Sequence, residues 1–448
     1  MSDFDVILVG GGLSAGLIAR ALSGINNRAT AGAEQPGPLR ILIVDRANEI
    51  AGNHTWSFHQ TDVTPDHDAW LAPIVSARWA TQETRFPTYK RPLDIGYRAI
   101  ASQSFAVLVR ALPGVATLTD TRVVSLANDH IVVDGGQRLT APCIIDCRGA
   151  VADTGLTVGY QKFVGLEIEL EEPHGLARPV IMDADLTQID GYRFMYLLPF
   201  DQTRLLVEDT YYSDYPALEI DDVSARIRTY VGNAGWRIKR FVRDEAGVLP
   251  IVLAGKLQHV WPDRDPIPRA GMRAGLFHQT TGYSLPLAVE TAHRLAALPA
   301  LTTRAAEATV RTLARDTWNA QAYFRLLNRT MFVAPEPLRR RRIFERFYKL
   351  SPGLIGRFFA GQLRAHDKLR LLTGRPPVPM FKAFRAFHPG AAIAWADQRA
   401  ARAEHAFDGR TVTTRTPLDL ASRYANDRER MPVGRTLARD ISAKPPIS

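Results

Sequence analysis

An α/β fold built from two unlike sheets and closed by helices is what this sequence predicts, on three observations. Val6-Ile7-Leu8-Val9 is an apolar run followed at once by Gly10-Gly11-Gly12 and an apolar-rich stretch from Leu13 to Leu22, which reads as a buried parallel strand, a tight turn and a helix. Phe163–Leu170 and Tyr192–Leu197 instead alternate, the period of antiparallel strands. Alanine-rich, arginine-bearing segments over Thr302–Leu327 and Glu336–Leu372 read as helices.

The first turn carries chemistry. Gly10, Gly12 and Ala15 fill the three positions of the G-x-G-x-x-G/A fingerprint of a Rossmann-type dinucleotide-binding domain. The first admits the turn, the second lets backbone approach a pyrophosphate, and the third lets helix and strand pack. Leu13 and Ser14 open the helix, whose free N–H groups and dipole favour phosphate. A second strand, Ile41–Val44, ends in Asp45, where an acid can bind the adenosine ribose hydroxyls. Asp45 lies farther on than the ~20 residues usual for this motif, and a Gly/Pro/Ala-rich loop from Asn26 to Leu39 accounts for the excess. A structural glycine turn in an ordinary α/β domain is the alternative.

Farther along, Gly52–His59 is polar and aromatic without a clear period, so a loop facing the cofactor crevice is expected. Residues 62–98, with Pro65, Pro73, Pro87 and Pro92, form an excursion from the first βαβ unit. Ser102–Leu112 reads as a helix, and Arg122–Leu126 with Ile131–Asp134 as a hairpin. Pro142–Ala150 holds another buried strand, expected beside the first, which brings Asp146 to the cofactor. The antiparallel sheet of the next segment adds Arg204–Glu208 after the turn Pro199–Gln202. Tyr192, Phe194 and Tyr196 share one face of its second strand, either as core or as a ligand-facing wall. Gly275, Thr281, Gly282 and Tyr283 belong to a glycine-rich turn before a helix expected over Leu287–Leu298, a second N-terminus aimed at the crevice. After Phe387 the chain becomes a polar tail expected to be partly disordered.

At 448 residues, two or three domains are expected. The composition, 46% hydrophobic and 23% charged, is that of a folded globular protein. No run approaches the ~18 apolar residues of a membrane span. The N-terminus enters a strand directly, without a secretory signal. Cys143 and Cys147 are too few for a disulfide framework, which suits a reducing cytoplasm. Net charge is +10, and Pro335–Arg385 alone carries thirteen Lys and Arg against three acids. Basic residues there alternate with Phe344, Phe347, Tyr348, Phe358 and Phe359, a pattern suited to the anionic inner face of the cell membrane, with a solvated basic helical face as the alternative. Nucleic acid would fit the charge but not the dinucleotide-binding start. No metal-ligand spacing stands out, and the sequence assigns no oligomeric state.

Several ordered segments resemble the bacterial lycopene β-cyclases, flavin-dependent enzymes of carotenoid biosynthesis. They are Val9–Ser14, Gly52–Phe58, Tyr192-Arg193-Phe194, Leu205–Tyr212 with its Glu-Asp-Thr, Ala274–His278 running into Thr280–Pro286, and Phe347-Tyr348 with Asp367–Arg370. The resemblance spans roughly residues 4–385 and implies a flavoprotein isomerase that closes both ends of lycopene into β-rings, giving β-carotene by way of γ-carotene. It implies FAD, active when reduced by NAD(P)H, with no net redox change. The chemistry is proton-initiated: an acid protonates the terminal alkene, the next alkene attacks the tertiary cation, and a ring proton leaves. Glu208 and Asp209 are the candidate acids, adjacent after an apolar strand, where desolvation and mutual repulsion would raise one pKa. Tyr192, Phe194 and Tyr196 would stabilise the cation.

On this reading residues 1–61, 99–160 and 266–300 form a discontinuous FAD-binding domain, and 62–98 with 161–265 the substrate-binding sheet domain. Residues 301–386 form a basic helical region facing the membrane, and 387–448 the tail. Two rivals use the same plan: an FAD/NADPH-dependent monooxygenase of an apolar substrate, and a non-catalytic isoprenoid-binding escort protein.

Overall fold

Four parallel strands, in the order Cys143–Asp146, Val6–Val9, Ile41–Val44 and Val115–Leu118, form the first sheet of the computed structural model. The structure describes residues 2–24, 37–150, 154–373 and 380–406. The first three are buried on both faces, which is why they read as apolar runs, while Val115–Leu118 at the edge is partly exposed. In register, Val9 lies beside both Val44 and Asp146, so three strands end together at Gly10, Asp45 and Asp146. The helix Leu13–Ser23 starts from Gly12 and packs beside the helix Leu285–Ala296. Most of the Asn26–Leu39 loop lies outside the described residues.

The expected hairpin is present as Val123–Leu126 and His130–Val133, and it gains a third strand, Arg138–Thr140, too short to show a period. Gly52–His59 departs from expectation. Thr55–His59 is a strand, paired antiparallel with Tyr97–Ala101. Phe58 and His59 are both buried, so the strand has no polar face to alternate and its sequence shows no period.

The second sheet has seven strands, in the order Ile238–Ala254, Thr157–Leu170, Arg204–Ser213, Tyr192–Pro199, Val180–Asp183, Gln82–Phe86 and Tyr89–Leu93. The proline-punctuated excursion thus supplies two strands, and Pro92 sits on the edge strand, where a missing N–H is tolerated. The Arg204 strand does not stop at Glu208 but runs to Ser213, placing Glu208 and Asp209 mid-strand. Its polar letters mimic a strand end because both faces of the sheet are covered and the acids find partners inside. One face packs Val164, Leu166, Met195, Leu197 and Val207 against the helix Ile220–Asn233.

C-terminal to the sheets come the expected helices, broken into shorter ones: Thr303–Ala320, Ala322–Val333, Arg341–Phe347, Pro352–Phe359 and Ala365–Leu372. The helix expected from Leu287 begins at Leu285, with Pro286 in its first turn. The aromatics of the basic segment do not form an outer face: Tyr348, Phe358 and Phe359 are buried, and Phe344 packs on Tyr192. Arg340 is buried too, ion-paired with Asp214. The exposed apolar side chains are Leu338, Leu369, Leu372, Phe384 and Ile393. Within the stretch expected to be a partly disordered polar tail, Pro389–Ala406, alanine-rich, is helical; residues 407–448 lie outside the described residues, as does Arg375.

Candidate active site

At the end of the parallel sheet the glycine turn does what its spacing requires. Gly10 has φ +102°, and a Cβ there would meet the Arg148 Cα at 2.8 Å. Gly12 begins the helix without a side-chain cap, and a Cβ on it would meet nothing within 4 Å. Ala15 is fully buried in the helix–sheet contact. Asp45 Oδ2 accepts the Gly11 N–H at 2.5 Å, and Oδ1 accepts the Ala47 N–H at 2.8 Å. Ser14 packs against Gly271, tying the first helix to the second glycine-rich turn.

A cavity of about 240 Å³ lies between that second turn and the seven-stranded sheet. Thr281, Gly282 and Tyr283 line one side, and Phe163, Phe194, Tyr196, Glu208, Tyr212 and Glu245 the other. The sheet wall follows from register: Phe194 and Phe163 flank Thr210 from the two neighbouring strands, while Tyr196 faces Glu208. Tyr196 donates to Tyr97 at 2.9 Å, whose hydroxyl lies 3.3 Å from that of Tyr283. Burial holds all three phenols well above their usual range, so they are neutral. A second cavity of about 180 Å³ shares Met182, Tyr212, Thr281, Tyr348 and Phe359 with the first and reaches Leu372 and Arg370.

Two carboxylates face the first cavity. Burial, then the charge of Glu245, pushes Glu208 up to about 8 against the pull of the Thr210 hydroxyl, which donates to Glu208 Oε1 at 2.5 Å. Among the described residues Glu208 has no ion-pair partner. Glu245 differs: its Oε2 accepts Arg243 Nη1 at 2.8 Å and the Thr55 hydroxyl at 3.1 Å. A protonated acid in an apolar, aromatic cavity can deliver a proton to a hydrocarbon.

With this geometry in place, comparison with known proteins decides the family. The family profile described as lycopene cyclase protein matches residues 5–385. The lycopene beta-cyclase of Pantoea ananas is 43% identical over 383 residues, covering 86% of this chain and 97% of that protein. That of Paracoccus sp. (strain N81106 / MBIC 01143) is 43% identical over 385 residues, covering 85% and 96%. The chain belongs to the lycopene cyclase family. Among solved structures, pqsL, a probable FAD-dependent monooxygenase from Pseudomonas aeruginosa, aligns with TM-score 0.51 at 15% identity, covering 78% of this chain and all of that one, which shows a shared fold.

Within this member of the lycopene cyclase family, the residues singled out from sequence separate into three groups. Gly10, Gly12, Leu13, Ser14, Ala15 and Asp45 come together at the first turn, and Thr281, Gly282, Tyr283, Phe194, Tyr196 and Glu208 at the cavity. Asp146 ends its strand beside Val9, and although burial would raise it, hydrogen bonds from Arg148 and the charge of Arg273 hold it below the usual carboxylate range. Three others lie elsewhere. Tyr192 shares the face of Phe194 but is buried beside the cavity, stacked on Phe344 at 4.2 Å. Gly275 packs toward Leu257, Val260 and Trp318. Asp209 lies on the opposite face of the sheet, ion-paired with Arg193 at 2.8 Å.

Sequence reading passes over Glu245, Tyr97, Tyr212 and His59. Glu245 sits in the strand Ile238–Ala254, whose charged first half reads as surface. The acid inside an Arg-Asp-Glu run before an apolar half-strand is a signal, but only pairing with distant strands makes it a site.

Proposed function

We propose that the chain is an isomerase that closes both acyclic ends of lycopene into β-rings, giving β-carotene by way of γ-carotene, with Glu208 as the proton donor. One observation carries this reading: Glu208, pushed up to about 8 by burial, faces an aromatic cavity beside the second glycine turn, with no ion-pair partner among the described residues. A carboxyl held protonated at neutral pH, in a cavity lined largely by aromatic side chains and neutral phenols, suits protonation of an alkene. Asp209, held by Arg193 and the Tyr211 hydroxyl on the far face, supports the strand rather than the reaction.

The residues at the first turn fit the ADP half of FAD. Gly12 leaves room for backbone to approach a pyrophosphate, the helix from Leu13 offers uncapped N–H groups, and Asp45 stands at the ribose position. Thr281–Tyr283, ahead of the helix from Leu285, would hold the flavin end beside the cavity. Bound and reduced by NAD(P)H, the flavin supplies an electron-rich face that stabilises positive charge without net electron transfer. The chain's own part is to donate a proton from Glu208 Oε, exclude water with Phe163, Phe194 and Phe359, and surround the developing cation with the Tyr196 ring, where a cation–π contact contributes about 0.5–2 kcal/mol.

An insoluble C40 hydrocarbon has to come from a membrane. The second cavity runs from the site to Leu372 and Arg370, near exposed Leu369, and Phe384 and Arg385 are exposed on the helix Met380–Phe387. We infer peripheral attachment at this end to an anionic leaflet, on the cytoplasmic side. None of the described helices is long and apolar enough to cross a membrane. Expression in cells that accumulate lycopene tests the whole reading: conversion to β-carotene supports it, and unchanged lycopene, or an oxygenated product, overturns it.

A further inference from the structure

Glu208 and Glu245 belong to one row across the seven-stranded sheet. Tyr196 faces Glu208, Glu208 faces Gly165, and Gly165 faces Glu245. All four positions point to the same side, and three of the four residues line the cavity. Gly165 has no side chain, and a Cβ there would come within 3.1 Å of Glu245 Cγ and 3.2 Å of Leu206 Cδ1. The two acids therefore line one cavity, and the residue between them in the row has no side chain of its own.

Their surroundings are opposite in kind. Glu208 has a hydroxyl partner, Thr210, and among the described residues no ion-pair partner. Glu245 has the Arg243 guanidinium at 2.8 Å, which in turn reaches Glu167 at 2.6 Å, and all three side chains are buried. Two titratable groups in one site with such divergent environments are the signature of an acid paired with a base. We propose that Glu245, in its anionic form beside Arg243, is the base that removes the ring proton and thereby sets the position of the ring double bond. This rests on the acid role of Glu208.

The step balances. Glu208 gives its proton to the inner, hydrogen-bearing carbon of the terminal alkene, leaving a tertiary cation on the dimethyl carbon. The next alkene supplies its π pair, one carbon–carbon bond closes the ring, and the cation moves to a ring carbon. Glu245 takes the proton from the adjacent ring carbon that carries the polyene, and that C–H pair becomes the ring double bond of a β-ring. A proton returns from Glu245 to Glu208 before the next ring, so substrate and product are isomers. A carbocation is so strong an acid that the base need not be a strong one. It has to be ionised while its neighbour is protonated, and it has to be in the right place. Arg243 provides the first condition and the row across Gly165 the second. Loss of the proton from the ring methylene or the methyl group instead would give an ε-ring or an exocyclic alkene, so the placement of Glu245 is also a specificity determinant.

The test compares Glu245→Gln, Glu245→Asp and Glu208→Gln for flavin content, lycopene consumption and ring type by chromatography and NMR. Glu245→Gln leaves Arg243 paired with Glu167, so flavin is expected to stay bound. Lycopene consumption should fall by roughly 10²-fold, the lower end for loss of a general base, and the rings that form should include ε or exocyclic isomers. Glu245→Asp should recover β-rings, or shift the ring distribution, because the acceptor has moved by one methylene. β-Rings alone at near wild-type rate from Glu245→Gln overturn the proposal. If Glu245→Gln loses its flavin, Glu245→Asp decides: slowed turnover or altered rings support the proposal, and wild-type rate with β-rings alone overturns it. Glu208→Gln separates the layers. Continued cyclisation in that variant removes the acid assignment and this inference with it, whereas its loss together with a β-only, near wild-type Glu245→Gln removes only the base.

Discussion

Glu208 and Asp209, adjacent in the chain, point to opposite faces of the seven-stranded sheet: Glu208 lines the cavity, while Asp209 is ion-paired with Arg193 at 2.8 Å beneath it. One strand thus carries one acid prepared to release a proton and one that is fixed in place. The pair should come apart on mutation. Glu208→Gln is expected to retain fold and flavin and to lose about 10²–10⁴-fold in cyclisation, the range for a general acid. Asp209→Asn instead leaves Arg193 buried without its partner, a defect of about 3–5 kcal/mol where one member of a buried pair is removed. Melting temperature and turnover, measured on both, check this; equal loss of turnover at unchanged stability would place both acids in the reaction.

The pH dependence has a defined sign. Burial, with the Glu245 charge behind it, raises Glu208 from its ordinary 4.5 to about 8, and the protonated form is the active one. Cyclisation should therefore hold up through neutrality and fall as pH rises past about 8. Stability moves the same way for a linked reason. Between 4.5 and 8 the unfolded chain has released this proton and the folded chain has kept it, so stability falls with rising pH across that window and levels off above it. Glu208→Gln removes this loss. Its melting temperature should exceed wild type by a margin that grows from pH 5 to pH 8, and a margin constant with pH would show that Glu208 is not raised.

What the sequence made legible follows from how local each feature is. Gly10, Gly12 and Ala15 are set by contacts within one turn, so their spacing suffices, and the buried runs Val6–Val9 and Cys143–Asp146 advertise a parallel sheet. Glu208 stood out only through its resemblance to known cyclases, since Glu-Asp-Thr in isolation reads as the end of a strand. Glu245 was illegible because facing Gly165 is a matter of register between distant strands. The inward turn of Phe358 and Phe359 was hidden likewise: the basic residues beside them suggest a surface, but the helix Pro352–Phe359 puts them on its buried side.

The two glycines of the first turn make separable predictions. A methyl at Gly10 is strained twice, by φ +102° and by the Arg148 backbone at 2.8 Å, so Gly10→Ala should lower the melting temperature and flavin content together. A Cβ at Gly12 meets no neighbour within 4 Å, so Gly12→Val should melt near the wild-type apoprotein while failing to take up FAD, because the branched side chain fills the approach of a pyrophosphate. Flavin absorbance and calorimetry on the purified variants read both. A yellow Gly12→Val protein would mean that no dinucleotide lies over this turn.

The last prediction concerns how the hydrocarbon arrives. The exposed apolar side chains Leu369, Leu372 and Phe384 belong to helices that also carry exposed Arg364, Arg370 and Arg385, and the second cavity ends at Leu372 and Arg370. Apolar groups among cations suit the headgroup zone of an anionic leaflet, where each Lys or Arg contributes on the order of 1 kcal/mol. Reversing Arg364, Arg370 and Arg385 to Glu should therefore cut sedimentation with anionic vesicles steeply, and high salt should release the wild-type protein in the same way. Leu369→Ser with Leu372→Ser should weaken binding with less dependence on salt, since it removes apolar area that enters the leaflet and leaves the charge unchanged. Both variants should bind flavin normally, because these side chains are remote from the first turn. If access through this end is the route to the site, both should also turn over lycopene supplied in vesicles more slowly while retaining activity on lycopene dispersed in detergent. Equal activity in the two presentations, or wild-type binding to neutral vesicles, would move the docking surface elsewhere on the molecule.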